Sequence, residues 1–283
     1  MIAPGTPLRT RESLTREFMS LGVRAGDVLL VHSSLRAVGW VCGGATAVVQ
    51  ALLDAVGPGG TVVVPAQTPG HRDPARWSHE AVPSEWWDTI RDHLPAFEPL
   101  LTPSATMGVI AERVRTWPGA CRSGHPLTSF AAVGSAAEEL MAGHELESML
   151  GDGSPLGALE RAGAKALLLG VGYEKCTAFH LAESRREHPS VVELTAVMRT
   201  GNGREWVRYE TIGLDDHDFG DLGVAYEAAY HKNDSLRRGM VGAATSRLFP
   251  IREAVRFAES WLTDRRPVFP NPRPGTGDES EKR

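Results

Sequence analysis

The chain has little cysteine. Its three cysteines, Cys42, Cys121 and Cys176, are odd in number and far apart in 283 residues. That excludes a disulfide framework and a cysteine-rich zinc site, and leaves free thiols suited to a reducing compartment. No apolar run approaches the about 20 residues that a membrane-spanning helix needs. The opening stretch "MIAPGTPLRTRESLTREF" lacks the apolar centre of a secretory signal. The expectation is a cytoplasmic protein with no membrane partner. Concentrated positive charge is missing too. The formal net charge is −5, so nucleic acid, which is bound through clustered Lys and Arg, is not an expected partner. A cationic small molecule is compatible with that balance.

Several catalytic signatures are absent as well. "CGGATAVV" is neither a Walker loop nor a dinucleotide fingerprint, and no G-x-S-x-G elbow occurs. The histidines show no H-x-x-x-H spacing and the cysteines no C-x-x-C. A metal would need His125, His180 and His231 to converge, which nothing in the sequence requires, and none is expected.

What is present is an alternation of buried strands and helices. "DVLLVHSS" (27–34), "GTVVVPAQT" (60–68) and "AKALLLGVG" (164–172) are short apolar runs that end in small or polar residues. They read as strands buried on both faces. Between the first two, a helix over 46–56 is stopped by Gly57-Pro58. Strand, helix, strand at this spacing predicts a βαβ unit with a right-handed crossover. "DGSPLGALERAG" predicts a short helix capped by Ser154, with Pro155 at its first position and Gly163 as stop. "VVELTAVMRT" and "REWVRYETI" flank Gly201-Asn202-Gly203 and predict a β-hairpin. "PIREAVRFAESWL" predicts an amphipathic docking helix. The fold class is therefore α/β, a mixed sheet with an antiparallel hairpin added. One domain over 1–266 is expected, with an insertion at about 70–100 and a disordered tail over 267–283.

Open α/β sheets place ligands at the carboxyl ends of their strands. Here those ends are His32-Ser33-Ser34, Pro65-Ala66-Gln67-Thr68 and Gly170-Val171-Gly172-Tyr173. "CTAFHLAE" (176–183) follows the third. On a helix, residues three apart share a face, so Thr177, His180 and Glu183 form a polar line while Phe179 and Ala182 turn inward. An imidazole can take a proton, and a carboxylate can hold its tautomer and steady the cation. The alternative is a satisfied core histidine beside a surface glutamate. "VHSSLRAVG" offers hydroxyls and amides that can hold the arm of a carrier cofactor, or simply a capped turn. "TPSATMG" (102–108) opens a helix whose free N–H groups can receive a phosphate or carbonyl oxygen. "RSGHPLTSF" (122–130) brings Arg122, His125 and Ser129 together, either for phosphate and ribose or as a loop lock. The insertion is rich in tryptophan and acid and has the look of a lid. "LDDHDFGDLG" (214–223) adds four aspartates. Two acidic stretches with aromatics suit a polyamine or aminosugar, though a charge run is also an ordinary solvated face.

Taken in order, these fragments resemble the aminoglycoside 3-N-acetyltransferase family. They are "VHSSLRAVGWVCGGATAVVQALLDAVGPGGTVVVPAQT", "DPARW…VPSEWW…LPAFEP…TPSATMG", "RSGHPLTSFAAVG", "DGSPLGALERAGAKALLLGVGYEKCTAFHLAE" and "VGAATSRLFPIREAVRFAESWL". The resemblance runs from about 10 to 265. It implies a layered αβα sandwich distinct from the common GNAT acetyltransferases, acetyl-CoA as donor, and an aminoglycoside or other cationic amine as acceptor, in a monomer or homodimer. It also implies residue roles. His180 is the catalytic base, with Glu183 and Thr177 beside it. His32, Ser33, Ser34, Leu35, Ser104, Thr106, Met107, Gly108 and Val109 hold the pantetheine arm. His125, Ser129 and Phe130 serve the nucleotide end. Gln67, Glu98, Asp216 and Asp218 face the aminosugar. Glu98 stands where the family is expected to carry aspartate, and 214–223 is looser than "DDF-x-x-IG"; both departures lie on the acceptor side.

The expected chemistry is direct acetyl transfer. His180 removes a proton from the acceptor amine, and Thr177 or a strand-end N–H steadies the oxyanion. Cys176 invites a ping-pong route instead. Either Glu183 or the remote Asp234 can orient His180. Three rivals remain open: an acyltransferase acting on another amine, a non-catalytic CoA-binding protein, and a serine hydrolase using Ser33 or Ser34.

Overall fold

The structure is a computed structural model that describes residues 7–77, 81–231 and 234–266. The expected tail over 267–283 lies outside the described residues. The strands are β1 (Val28–Ser33), β2 (Thr61–Pro65), β3 (Cys121–Arg122), β4 (Phe130–Gly134), β5 (Lys165–Leu169), β6 (Val191–Thr200), β7 (Gly203–Ile212), β8 (Arg237–Val241) and β9 (Ala244–Pro250). Seven of them form one mixed sheet in the order β3-β4-β2-β1-β5-β9-β8. Its centre is parallel, with β1 between β2 and β5. The pairs β2–β4, β5–β9 and β8–β9 are antiparallel.

Side-chain alternation explains the layering. Leu29, Val31, Val62, Val64, Leu167 and Leu169 face one apolar cluster, which holds the helices Arg11–Leu21, Gly44–Val56 and Gly108–Arg115. Leu30, Val63, Ala166 and Leu168 face the other, built with the helices Pro155–Arg161, Phe179–Ser184, Phe219–Tyr230 and Ile251–Arg265. Because both faces are covered, the central strands read as continuous apolar runs. This is the expected αβα sandwich.

The strands end earlier than the apolar runs suggest. β2 stops at Pro65 and β5 at Leu169, and the remaining residues become loops at the sheet edge. Gly170 makes that exit possible. Its φ is +68°, and a Cβ there would lie 2.4 Å from the Cβ of Ala37. The β6–β7 hairpin forms as expected but stands as its own two-stranded sheet. Ser154 caps Pro155–Arg161 by accepting from the Leu156 N–H. The stretch 214–223, read above as an acidic run, contains the start of the helix Phe219–Tyr230, which buries Phe219, Leu222, Gly223 and Tyr226.

The insertion at 70–100 packs against the hairpin. Trp206 Nε1 donates to the carbonyl of Arg91 at 2.8 Å, and the Phe97 N–H donates to the carbonyl of Val197 at 3.2 Å. None of its described residues lines the cleft at the strand ends.

Candidate active site

A cleft of 470 Å³ opens at the carboxyl ends of β1, β2 and β5. Its walls include His32, Ser33, Ser34, Leu35, Gln67, Thr106, Met107, Gly108, Val109, Thr177, His180 and Asp216. Residues from five separate stretches of sequence thus meet in one concavity. Leu35, Met107, Val109, Val171 and Phe219 supply apolar wall, and Arg36, Glu174 and Lys175 supply charge that the sequence reading did not single out.

At the cleft wall sits a hydrogen-bonded chain. His180 Nδ1–H donates to Glu183 Oε2 at 2.7 Å. The partner is a carboxylate and can only accept, so the proton is fixed on Nδ1. Nε2 then carries the lone pair and has no partner among the described residues. Phe219 packs on the imidazole with ring centroids 4.8 Å apart. Glu183 is 3% exposed and is held on its other side as well. It accepts from the Asp215 N–H at 3.1 Å and from Arg266 Nη1 at 2.6 Å. Both His180 and Glu183 lie on the short helix Phe179–Ser184, whose geometry makes an i, i+3 pair meet. Thr177 precedes that helix, and its Oγ1 lies 3.3 Å from His32 Nε2. Burial, with His180 nearby, pushes the His32 imidazole down to about 3, so it is neutral at any working pH. Burial pushes the Cys176 thiol up to about 12, which removes its nucleophilic form.

Two helix starts face the cleft. Ser34 caps Leu35–Val38, its Oγ accepting from the Ala37 N–H at 3.3 Å. Gly108–Arg115 begins after Thr106, which sits at φ +62°. A threonine at positive φ is strained, and such strain gathers at ligand-binding loops. The first N–H groups of a helix lack intrahelical acceptors and suit carbonyl or phosphate oxygens.

Other expected site residues lie elsewhere. His125, Ser129 and Phe130 are each 0% exposed and do not reach the cleft. His125 Nδ1 accepts from the Leu127 and Thr128 N–H groups at 3.0 and 3.1 Å, which locks a loop. Ser129 Oγ donates to the carbonyl of Ala66 at 2.8 Å, and Phe130 pairs with Pro65 inside the sheet. Arg122 Nη2 donates to that same carbonyl at 2.6 Å and its Nη1 to that of Pro99 at 3.1 Å. The segment 122–130 is therefore held together by its own hydrogen bonds behind the cleft. Ser104 Oγ donates to Glu112 Oε2 at 2.7 Å and braces Gly108–Arg115 from behind.

The acceptor-side acids divide. Asp216 lines the cleft. Glu98 does not: it accepts from Arg199 Nε at 2.5 Å on the hairpin side. Asp218 accepts from Arg266 Nε at 2.9 Å. Asp234 pairs with Arg237 at 3.5 Å with its side chain 96% exposed, whereas Glu183 is bonded to His180. The three histidines considered for a metal have separate partners: His231 donates to the carbonyl of Ala228 at 2.7 Å, His125 sits in its loop, and His180 holds Glu183.

The sequence matches the family model for aminoglycoside 3-N-acetyltransferase over residues 30–263. It is similar to the SPbeta prophage-derived aminoglycoside N(3')-acetyltransferase-like protein YokD of Bacillus subtilis, at 41% identity over 90% of this chain and 92% of that one. The crystal structure of YokD superposes with a TM-score of 0.88, covering 93% of this chain and 97% of the other. Aminoglycoside N(3)-acetyltransferase VII of Streptomyces paromomycinus is 35% identical over 90% of this chain and 92% of its own. A structure of AAC-IIIb as a binary complex with CoASH, at 32% identity, has a TM-score of 0.79 and covers 92% of this chain and 98% of that one.

Proposed function

The chain belongs to the aminoglycoside 3-N-acetyltransferase family, a class of acyltransferases, and on that premise we propose that it moves an acetyl group from acetyl-CoA to the 3-amine of an aminoglycoside, with His180 as general base. The observation that carries this reading is the His180–Glu183 pair, which leaves Nε2 unpartnered at the wall of a cleft that also holds two helix starts.

The cleft suits a long acyl carrier. Leu35, Met107 and Val109 offer apolar contact to a thin chain, Ser33 and the helix-start N–H groups offer polar contact to its amides, and Arg36 and Lys175 offer charge to its phosphates. The relative solved with CoASH supports the same donor. Bound acetyl-CoA supplies the thioester carbonyl. Everything else is done by the chain. An acceptor amine is mostly protonated near neutral pH, so it must lose a proton before it attacks. His180 Nε2 takes that proton, and Glu183 stabilises the imidazolium across 2.7 Å. The amine then forms the C–N bond, the C–S bond breaks, and the CoA thiolate leaves as the thiol by taking the proton held on His180, while the amide nitrogen gives up its extra proton to solvent. Thr177 Oγ1 and the strand-end N–H groups are the donors available to the carbonyl oxygen. Asp216 draws in the cationic acceptor. The neutral, buried Cys176 thiol favours direct transfer over an acyl-enzyme. Ser34 is engaged as a helix cap, which disfavours a serine hydrolase.

One observation favours a second acceptor class. Asp216 and Glu174 line the cleft together with Arg36 and Lys175, while Glu98 and Asp218 are paired to arginines. That balance also suits an acceptor with a single amine. Thiol release from acetyl-CoA across a panel of aminoglycosides and simple amines, with mass spectrometry of the products, tests both. Acetylated aminoglycoside is the expected product. Turnover confined to simple amines would establish the second reading, and saturable CoA binding without thiol release would overturn both.

A further inference from the structure

We infer that Arg266 is a positioning residue that sets how tightly the His180–Glu183 pair holds its proton. Arg266 lies just past the helix Ile251–Arg265 and beyond the family-matched segment 30–263. Its side chain is 13% exposed, and its fork meets three partners at once. Nη1 donates to Glu183 Oε1 at 2.6 Å, Nε to Asp218 Oδ2 at 2.9 Å, and Nη2 to the carbonyl of Asp215 at 2.8 Å. A second arm also reaches Asp218. The guanidinium carbon lies 5.9 Å from the centroid of Phe219, the ring on which His180 packs.

Glu183 is therefore shared. Oε2 holds the imidazole, while Oε1 is claimed by a fixed cation and by the Asp215 N–H. An arginine so placed lowers the proton affinity of the pair in two ways. It draws negative charge away from the imidazole, and it repels the imidazolium directly. Asp218 anchors the fork, so the guanidinium keeps its place while His180 cycles between its neutral and charged forms. Arginine suits this role because its charge is permanent and its donors lie in one plane.

The charged and titratable groups facing His180 come from every neighbouring element. Glu183 shares its helix, and His32 sits on β1 beside Thr177. Glu174, Lys175 and Cys176 come from the loop after β5, and Arg36 from the short helix after β1. Asp215, Asp216 and Asp218 come from the loop before Phe219–Tyr230, with His217 bonded to Asp215 at 2.7 Å. Among the cations that also bond Glu183, Arg266 is the one the structure describes.

The inference rests on the proposed base only for its kinetic consequence. Its test therefore reads the imidazole itself. The 15N shifts of His180, assigned with His180→Gln, are followed against pH in the full chain for wild type, Arg266→Met and Arg266→Lys. The kcat–pH profile and a thermal melt are taken beside them. Arg266→Met is expected to raise the His180 midpoint by about one pH unit, and Arg266→Lys to keep it within a few tenths. An unmoved midpoint in folded Arg266→Met overturns the inference. If that variant does not fold, Arg266→Gln, which removes the charge but keeps hydrogen-bond donors toward Glu183 and Asp218, is expected to raise the midpoint likewise. No movement there overturns the inference in the same way. A midpoint that rises while the kcat profile stays put confirms the role of Arg266 and removes His180 as the base.

Discussion

Replacing Glu183 with glutamine removes one charge and almost no volume. In the wild type the carboxylate faces the imidazole at 2.7 Å, with the two side chains 10% and 4% exposed. At ~4 Å between charge centres and an effective dielectric near 20, the attraction to an imidazolium is about 4 kcal/mol. A glutamine carbonyl can still accept from Nδ1–H only with its NH2 turned toward the Arg266 and Asp215 donors, so such a bond retains at most about 1 kcal/mol of that. The remaining loss of about 3 kcal/mol falls on the step in which His180 becomes charged, and corresponds to a fall of roughly 10²-fold in kcat. The KM for acetyl-CoA should change little, because Glu183 does not line the cleft. Steady-state thiol release at saturating acceptor measures this. Since Arg266 loses one of its carboxylate partners, a thermal melt must accompany it to separate lost stability from lost catalysis. A folded Glu183→Gln enzyme with kcat within threefold of wild type would refute the charge-stabilisation argument.

Other perturbations follow from burial. Cys176→Ala should keep kcat within a few-fold, because a thiol pushed up to about 12 supplies almost no thiolate near pH 7; near-complete loss, together with a trapped acyl-cysteine seen by mass spectrometry, would establish the ping-pong route. Acid should destabilise the fold earlier than carboxylates alone would. Burial pushes His32 and His144 down to about 3 and His125 to about 4. Above about pH 6.5 neither the folded nor the unfolded state protonates these rings, so their contribution is complete there. Below it the unfolded chain takes up protons that the folded chain refuses, and stability falls until the folded values are reached, by up to about 1.4 kcal/mol per pH unit for each ring. Urea midpoints at pH 7.5 and 5.5 should therefore differ clearly, and equal midpoints would contradict the buried-neutral assignment.

Much of the fold was legible because periodicity reports burial. β1, β2 and β5 appeared as apolar runs, since a strand covered on both faces has no polar alternation to hide it. The His180–Glu183 contact was legible too, because a helix brings residues three apart together. What escaped were contacts between residues far apart in sequence. Arg266 meets Glu183 across 83 positions, and no local pattern encodes that. The partners of His125, Ser129 and Glu98 were hidden for a related reason. A polar residue beside a ligand and a polar residue locking a loop look alike in sequence, and only the partner distinguishes them. For His125 the partners are backbone N–H groups of its own turn. For Glu98 the partner is Arg199 on the hairpin. The helix Phe219–Tyr230 was hidden by the aspartates at its start, which read as a solvated run although Phe219, Leu222 and Tyr226 are buried behind them.

The central claim is that Nε2 of His180 accepts the proton of the attacking amine. Its most direct measurement is kcat for His180→Ala with acetyl-CoA and the best aminoglycoside acceptor, beside a CoA-binding isotherm that confirms an intact cleft. The expected result is a fall in kcat of roughly 10²–10⁴-fold with CoA affinity preserved. A variant that binds CoA normally and turns over within a few-fold of wild type would contradict it.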